Sequence, residues 1–415
     1  MHALEKILAK ASGNKKVEAG DIVTVDVDVA GINDLYLQVL YSFDDIGRPK
    51  VWDPSKVVFF FDHYAPAPTI KSAANQKVMR DFAAAQGIEN VFDINMGICH
   101  QVLVESGMSK PGSVVVITDS HSTTHGALGA LGTGVGATDL AAIMASGKTW
   151  MMVPEIMAIR IEGEIPKGVS SKDIILSVLG DLGPSAAGYK AIEYLGETVE
   201  SMPLAERMVL CNMAVELGAK TSYISPSEEI VRYVESHGVD FEVLETDEDF
   251  KYSKEYIIDV SKLVPQVAMP HSIDNVGPVG VCASKRIDQA FIGTCTGGRL
   301  EDIAAATSIL KGKKIASGTR LVVIPASTNI LMQAMSKGYV QALLEAGATF
   351  STPGCGPCLG AHQGVIAAGE TCVTTSSRNF PGRMGSTDAG VYVASPATVA
   401  ASALTGRISD PREFI

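Results

Sequence analysis

The sequence has little of what marks several classes of protein. Its 415 residues include only seven cysteines, too few for a disulfide scaffold, which favours a reducing, cytoplasmic location. Acidic side chains outnumber basic ones to a net charge of −12, which argues against a chain built mainly to bind nucleic acid. No window holds about eighteen uncharged apolar residues in succession, so no membrane-spanning helix is predicted.

What the sequence does have is the composition of a compact α/β protein. A hydrophobic fraction of 46% and 40 glycines fit such a fold, and the length allows two to four domains. Short β-branched runs alternate with helical stretches, as they do in parallel α/β layers. These runs are residues 57–61, 114–118, 290–293, 321–325 and 371–375.

Chemistry-bearing side chains closely follow four of these runs. Asp62 and His63 follow the first, Asp119 and His121 follow the second, Cys295 follows the third, and Arg378 comes after the last. The carboxyl ends of parallel strands meet at one edge of a sheet, where ligands bind in open α/β folds. A hydrophobic core gives no reason to place such residues there. We therefore predict a single site assembled from several segments.

Three cysteines carry the metal prediction. Cys295 lies in Gly-Thr-Cys-Thr-Gly-Gly, and Cys355 and Cys358 lie in Cys-Gly-Pro-Cys. A structural zinc site normally closes four ligands, whereas a cube held by three cysteines leaves one iron free to act as a Lewis acid. On spacing alone, a buried cysteine beside a zinc or redox pair is equally well supported. The acids, imidazoles and arginines at the strand ends favour the cube.

The imidazoles and carboxylates at the strand ends suit proton transfer near neutral pH. Imidazole titrates in that range, and a paired carboxylate fixes its tautomer. Asp119, Ser120 and His121 do not indicate a hydrolase, because neighbours on one turn cannot take the positions of nucleophile, base and orienter. The glycine-rich segment 126–136 lacks the Gly-Lys-Ser/Thr ending of a phosphate loop, so we interpret it as close backbone packing.

Two further pairs of polar residues are candidates for the site. Arg378 and Arg383 lie five apart on one loop, and two guanidinium forks suit a substrate with two or three carboxylates. No acid neighbours them in the sequence, although solvation at the surface is the ordinary alternative. Asn212 and Glu216 are four positions apart, a spacing that places both on one face of a predicted helix. They are either a buried pair whose hydrogen bonds are satisfied or residues that support a metal site.

Together these pieces resemble the aconitase superfamily over essentially the whole chain. The matching motifs are Phe61-Asp62-His63, Gly97-Ile98-Cys99-His100-Gln101, Thr118-Asp119-Ser120-His121 with His125, Cys211-Asn212-Met213 with Glu216, Gly293-Thr294-Cys295-Thr296, Cys355-Gly356-Pro357-Cys358 and Arg378-Asn379-Phe380-Pro381-Gly382-Arg383. The length and ending resemble the short, archaeal-type large subunit of the 3-isopropylmalate dehydratase and homoaconitase branch. The resemblance implies three α/β/α domains around an iron–sulfur cluster, at residues 1–158, 159–283 and 284–415, with the swivel domain absent.

The resemblance also implies roles for individual residues. A [4Fe–4S] cluster would be held by Cys295, Cys355 and Cys358. The catalytic group would be Asp62, His63, His100, Asp119, His121 and Glu216. The substrate-binding group would be Ser120, Asn212, Arg378 and Arg383. Residues 30–36 only loosely resemble the family's substrate-contacting loop.

The implied activity is that of a hydro-lyase that is incomplete by itself. The family's catalytic serine lies on the swivelling domain, so a small partner subunit is expected to supply it. The implied reaction converts 2-isopropylmalate to 3-isopropylmalate in leucine biosynthesis. Homoaconitase or 2,3-dimethylmalate dehydratase activity is the alternative within the family. An RNA-binding regulator in the cluster-free state is the alternative from another class, and the charge balance argues against it.

Overall fold

The computed structural model describes residues 1–415, and its first part is built on a five-stranded sheet. The elements are α1 (Ala3–Ser12), β1 (Ile22–Asp26), β2 (Val29–Asn33), α2 (Gln38–Ile46), β3 (Val57–Phe60), α3 (Ile70–Gln86), β4 (Val91–Phe92), α4 (Cys99–Glu105), β5 (Val114–Ile117), β6 (Leu131–Gly134), α5 (Ala137–Ser146) and β7 (Lys148–Met152). The strand order is β4-β3-β2-β5-β6 and every pair is parallel. Strands β1 and β7 form a separate antiparallel ribbon.

The second part is a smaller parallel sheet with its own helices. Its elements are β8 (Ile156–Glu162), α6 (Ser171–Leu182), β9 (Ala191–Leu195), α7 (Glu197–Glu200), α8 (Leu204–Met213), β10 (Thr221–Tyr223), α9 (Glu228–Glu235) and β11 (Lys254–Asp259). The four strands run in the order β10-β9-β8-β11, all parallel.

The third part is a seven-stranded mixed sheet. Its elements are β12 (Gln266–Ala268), β13 (Val276–Pro278), β14 (Gln289–Ile292), α10 (Leu300–Leu310), β15 (Arg320–Val323), α11 (Thr328–Ser336), α12 (Tyr339–Ala346), β16 (Thr349–Phe350), β17 (Thr371–Thr374), β18 (Gly390–Ala394) and α13 (Pro396–Thr405). The strand order is β13-β12-β18-β17-β14-β15-β16, antiparallel at the β13 end and parallel from β18 onward.

The predicted α/β layers are confirmed, and the five predicted strand runs coincide with β3, β5, β14, β15 and β17. The three sheets follow one another in the order of the three predicted blocks. Residue 158 lies inside β8, and β12 and β13 join the third sheet before residue 284. The domain bounds drawn from the sequence stay a prediction. None of the helices combines the length and the apolar character that crossing a bilayer requires.

The glycine-rich segment packs closely against neighbouring backbone, as the sequence predicted. A Cβ at Gly126 would lie 2.0 Å from the carbonyl oxygen of Ser222, and one at Gly132 would lie 2.1 Å from that of Ser122. Only glycine fits positions where two backbones approach so closely. These contacts hold the 3₁₀ turn Ser120–Leu128 between the first sheet and the second, directly after β5.

Candidate active site

Asp62 and His63 form a buried pair directly after β3. The Nδ1 atom of His63 lies 2.8 Å from Oδ1 of Asp62, and Oδ2 of Asp62 accepts a 2.8 Å bond from the backbone N–H of Cys99. Burial opposes ionisation of this carboxyl, but the His63 imidazole and the Cys99 N–H outweigh it and hold the pKa of Asp62 below its usual value. The backbone N–H of Cys355 donates to the carbonyl oxygen of Asp62, so the pair lies against the cysteine loop.

Asp119 joins the two histidines that flank it in space. Its Oδ1 atom lies 3.0 Å from Nε2 of His100 and accepts a 2.8 Å bond from the backbone N–H of His121. Its Oδ2 atom lies 3.8 Å from Nε2 of His63, which connects the ends of β3 and β5. Burial again opposes ionisation, yet His100 and His121 hold the pKa of Asp119 well below its ordinary range.

Glu216 connects the histidine turn to the arginine loop. Its Oε1 atom lies 2.9 Å from Nε2 of His121 and accepts a 2.7 Å bond from Nε of Arg378. The hydroxyl of Ser377 lies 3.0 Å from the same nitrogen of His121. Burial would raise the pKa of Glu216, but His121 and Arg378 lower it below its usual value. The carboxylate therefore orients both an imidazole and a guanidinium.

Asn212 and Glu216 do not share one uninterrupted helix, contrary to the prediction. The α-helix α8 ends at Met213, and Ala214–Leu217 continue as a 3₁₀ turn. Glu216 lies on this turn, with its carboxylate 2.9 Å from Nε2 of His121. Asn212 donates a 2.7 Å bond to Oγ1 of Thr124, acts to lower the pKa of the Cys295 thiol, which burial raises, and leaves its own carbonyl oxygen buried without a partner.

The three predicted cluster cysteines lie on two loops of the third sheet. Cys295 follows β14 in a turn where Thr294 adopts a left-handed φ of 72°, a conformation that non-glycine residues rarely hold. Cys355 precedes the 3₁₀ turn Gly356–Leu359, which contains Cys358. All cysteines of the chain are free thiols. Burial raises the pKa of Cys295 to about 12, so a metal is needed to hold it as a thiolate at neutral pH.

The three thiols do not converge closely enough for a single zinc ion. A tetrahedral zinc with sulfur ligands at about 2.3 Å brings two ligands to within about 3.8 Å of each other. Cys295, Cys355 and Cys358 form no group whose donor atoms converge within 4.8 Å. Soft thiolates bind zinc as well as iron–sulfur clusters, so it is the wider separation that favours a cluster, whose several metal atoms can span it. Arg383 also places Nη2 3.6 Å from Sγ of Cys358 and leaves Nε buried without a partner.

In two other groups of three residues, the possible metal-binding atoms do lie within 4.8 Å of one another. They are Asp62, His63 and Cys355, and Cys99, His100 and Asp119. In both groups an imidazole already bonds the neighbouring carboxylate, at 2.8 Å in the first and 3.0 Å in the second. The donors around the cysteines thus fit an iron–sulfur cluster surrounded by proton-transfer groups.

Comparison with known proteins agrees with this geometry. A model of the aconitase family (aconitate hydratase) matches residues 55–286 and 281–406. The chain belongs to the aconitase family. This confirms the resemblance inferred from the motifs, and it carries with it an iron–sulfur cofactor, which the donor set fits. The family's hydro-lyase chemistry likewise agrees with the acids and imidazoles at the strand ends.

Two curated relatives of this family member match almost end to end. The 3-isopropylmalate dehydratase large subunit 1 of Methanopyrus kandleri is 50% identical, over 99% of each chain. A probable methanogen homoaconitase large subunit of Methanosarcina mazei is 49% identical, over 94% of this chain and 99% of the relative. The crystal structure of holo aconitase X from Thermococcus kodakaraensis has a TM-score of 0.51 at 15% identity, covering 91% and 89% of the two chains, and it supports the fold alone.

Most of the residues singled out in the sequence come together in the structure. One network beside the cysteines is formed by Asp62, His63, His100, Asp119, His121, Glu216 and Arg378. Arg383 lies outside it and contacts Cys358, and Asn212 bonds Thr124. Ser120 is exposed, and its hydroxyl makes only a 3.4 Å contact with Nδ1 of His121. Arg378 has an acidic partner after all, since Glu216 reaches it from a distant part of the chain.

Several supporting residues had not been predicted from the sequence. Asp34 accepts bonds from the backbone N–H groups of His63 and Tyr64 and from Gln76, at 3.0, 3.1 and 2.9 Å. The loosely matching segment 30–36 therefore supports the Asp62–His63 turn. His125 lies behind His100, at 3.5 Å, and bonds Ser109 at 2.9 Å. His125 belongs to the matched motif that begins at Thr118, and this was the only sign in the sequence that it could support the site.

Proposed function

We propose that this chain is the cluster-bearing large subunit of a [4Fe–4S] hydro-lyase that interconverts 2-isopropylmalate and 3-isopropylmalate. The observation that carries the proposal is the joining of Asp119, His100, His121, Glu216 and Arg378 into one network beside three cysteines. The relative named 3-isopropylmalate dehydratase large subunit, 50% identical over 99% of the chain, supports the substrate. Cys295, Cys355 and Cys358 would hold the cluster.

The roles of the residues follow from their contacts. A [4Fe–4S] cluster held by Cys295, Cys355 and Cys358 would supply a Lewis acid that assists loss of the substrate hydroxyl. Arg378 and Arg383 bind the remaining carboxylate charge, with Arg378 pre-oriented by Glu216. His100, paired with Asp119 at 3.0 Å, donates a proton to the departing hydroxyl, which leaves as water. His121 is held by Glu216 and Ser377 on the other side.

The proton on the neighbouring carbon requires a base that we do not assign to this chain. Ser377 contacts His121 and lies in the loop before Asn379, so it is bound within the network. We propose that a small swivel-domain subunit supplies the catalytic serine. The relatives named as large subunits support a partner of this kind.

Co-expression with a candidate small subunit under anaerobic conditions tests the proposal. Iron and sulfide analysis of the purified chain should show a cluster that is lost in Cys295→Ser. Dehydration of 2-isopropylmalate should need both subunits and should exceed that of citrate, homocitrate and dimethylmalate. Full turnover by this chain alone would contradict the two-subunit arrangement. A single zinc or iron ion without sulfide would contradict the cluster.

Homoaconitase large subunit is the second candidate. The observation that favours it is the Methanosarcina mazei relative, at 49% identity over 94% of the chain. The same substrate screen distinguishes the two, because a homoaconitase would dehydrate homocitrate in preference to 2-isopropylmalate.

A further inference from the structure

A fully buried lysine lies beside the cysteines without a carboxylate partner. Lys172 is the second residue of α6, and its side chain is 1% exposed. Its Nζ atom donates to the carbonyl oxygens of Thr375 and Ser376, at 2.9 and 3.1 Å, and to no acid. An ammonium removed from water is costly unless a negative charge compensates it. The surroundings of Lys172 should therefore contain such a charge.

The carbonyl that holds Lys172 belongs to the framework of the cysteine turn. The carbonyl oxygen of Thr375 also accepts a 2.8 Å bond from Oγ1 of Thr296, the residue after Cys295. The hydroxyl of Thr375 in turn bonds both the N–H and the carbonyl oxygen of Gly293, each at 2.9 Å. Lys172 and the cysteine turn thus donate hydrogen bonds to the same carbonyl oxygen, that of Thr375.

The other charges near Lys172 do not compensate it. Asp302 is only partly buried, and the desolvation that it does undergo raises its pKa to about 7, so much of it is neutral at neutral pH. Arg299 lies beside Asp302, through a 2.8 Å bond from its backbone N–H, and adds a positive charge of its own. Burial lowers the pKa of Lys172 to about 8, whereas Cys295 and then Asp302 act to raise it. The charge that best matches the ammonium is on the cysteines.

We propose that Lys172 is the buried counter-charge of the iron–sulfur cluster, stabilising its thiolates and raising its reduction potential. The inference rests on the proposed function, since it requires a cluster at Cys295, Cys355 and Cys358. Three thiolates carry more negative charge than a [4Fe–4S] core neutralises, and one-electron reduction adds another. A fixed positive charge nearby favours the reduced form, because protein charges set cluster potentials. Lys172 is a positioning and tuning residue and does not contact substrate.

The test compares substituted full-length chains after anaerobic reconstitution. Lys172→Met removes the charge at similar volume, Lys172→Gln removes the charge but keeps N–H donors, and Lys172→Arg keeps the charge. Lys220→Met is the control, because Lys220 is also partly desolvated but has Tyr189 as its aromatic neighbour. The midpoint potential of each cluster is measured by titration with dithionite, followed by electron paramagnetic resonance.

The midpoint potential should fall by about 59 mV or more in Lys172→Met and Lys172→Gln, which is a tenfold change in the preference for the reduced state. Lys172→Arg and Lys220→Met should stay near the wild-type value. A wild-type potential in Lys172→Gln would overturn the inference, because hydrogen bonding alone would then explain the lysine. A wild-type potential in loaded Lys172→Met would overturn it too. If Lys172→Met fails to fold, Lys172→Gln is judged by the same criterion.

Thermal denaturation gives a second readout that needs no activity. Without the cluster, Lys172→Met should melt at the same temperature as wild type or higher, because a buried uncompensated charge is gone. With the cluster, it should melt at a lower temperature. Equal effects in both forms would contradict a counter-charge. If the wild-type chain binds no iron and sulfide, both the proposed function and this inference fail. If the cluster binds but its midpoint potential is unchanged in Lys172→Met or Lys172→Gln, only this inference fails.

Discussion

Replacing Glu216 with glutamine should weaken substrate binding by disordering Arg378. The carboxylate accepts a 2.7 Å bond from Nε of Arg378 and lies 2.9 Å from Nε2 of His121. Glu216 is 9% exposed at its side chain and Arg378 is 22% exposed, so water replaces these bonds poorly. Glutamine keeps one carbonyl oxygen but loses the charge.

The magnitude follows from the bonds that are weakened. A hydrogen bond to a charged group contributes about 1.5–3 kcal/mol and a neutral one about 0.5–1.5 kcal/mol, and both His121 and Arg378 bond the same oxygen, Oε1, whose charge the glutamine lacks. We expect a loss of about 2 kcal/mol in the binding of the substrate carboxylate, which corresponds to about 30-fold in KM. The effect on kcat should be smaller, because His121 keeps its contact with Ser377 at 3.0 Å.

The assay is steady-state dehydration by the reconstituted two-subunit enzyme, with a double-mutant cycle. Glu216→Gln, Arg378→Gln and the double variant are compared, and the double variant should lose little more than Arg378→Gln alone. Glu193→Gln is the matched control, because Glu193 is a buried glutamate that lies 2.8 Å from Nε2 of His2. It should lower the melting temperature and leave KM unchanged. Additive effects in the cycle, or a fall in kcat with an unchanged KM, would refute the reasoning.

Three further predictions concern the same network. Gly297→Ala should lower the melting temperature and prevent iron binding, because its Cβ would lie 2.2 Å from the side chain of Thr375; Gly280→Ala, with no atom within 4 Å of the new Cβ, should change neither. His125→Leu should reduce kcat about tenfold with little change in KM, since His100 loses the ring that fixes its orientation, while His125→Gln should recover part of the rate. Because the folded pKa of Glu216 lies below its unfolded value, the stability that this group contributes is present at pH 7 and is lost as the pH falls below about 4.5. The difference in melting temperature between wild type and Glu216→Gln should therefore shrink in acid, and a constant difference from pH 7 to pH 3 would contradict the shift.

The strand ends were the most predictable part of the site. Continuous β-branched runs such as Val57–Phe60 and Val114–Ile117 are buried along their whole length and form β3 and β5. A polar residue after such a run has to lie at the edge of the sheet, because the core offers it no partner. Asp62 and Asp119 could therefore be placed beside each other before any contact was known.

The partners of these residues were much less predictable. Arg378 and Glu216 are 162 positions apart, and their pairing depends on how the second sheet packs against the third. The helix through Asn212 was expected to continue to Glu216, but it changes to a 3₁₀ turn after Met213. Local propensity does not determine such a change, because tertiary packing overrides it.

The sequence by itself determined the family, the layered α/β fold and the chemical type of the site. These depend on patterns that are local to each segment: apolar runs, the residues that end them, and the spacing of the cysteines. Only the tertiary structure decided which charges compensate one another. Lys172 illustrates the difference, because a lysine in the first turn of a helix predicts exposure, whereas the fold buries it beside the cysteine turn. Burial depends on contacts between distant segments, and a local pattern does not record them.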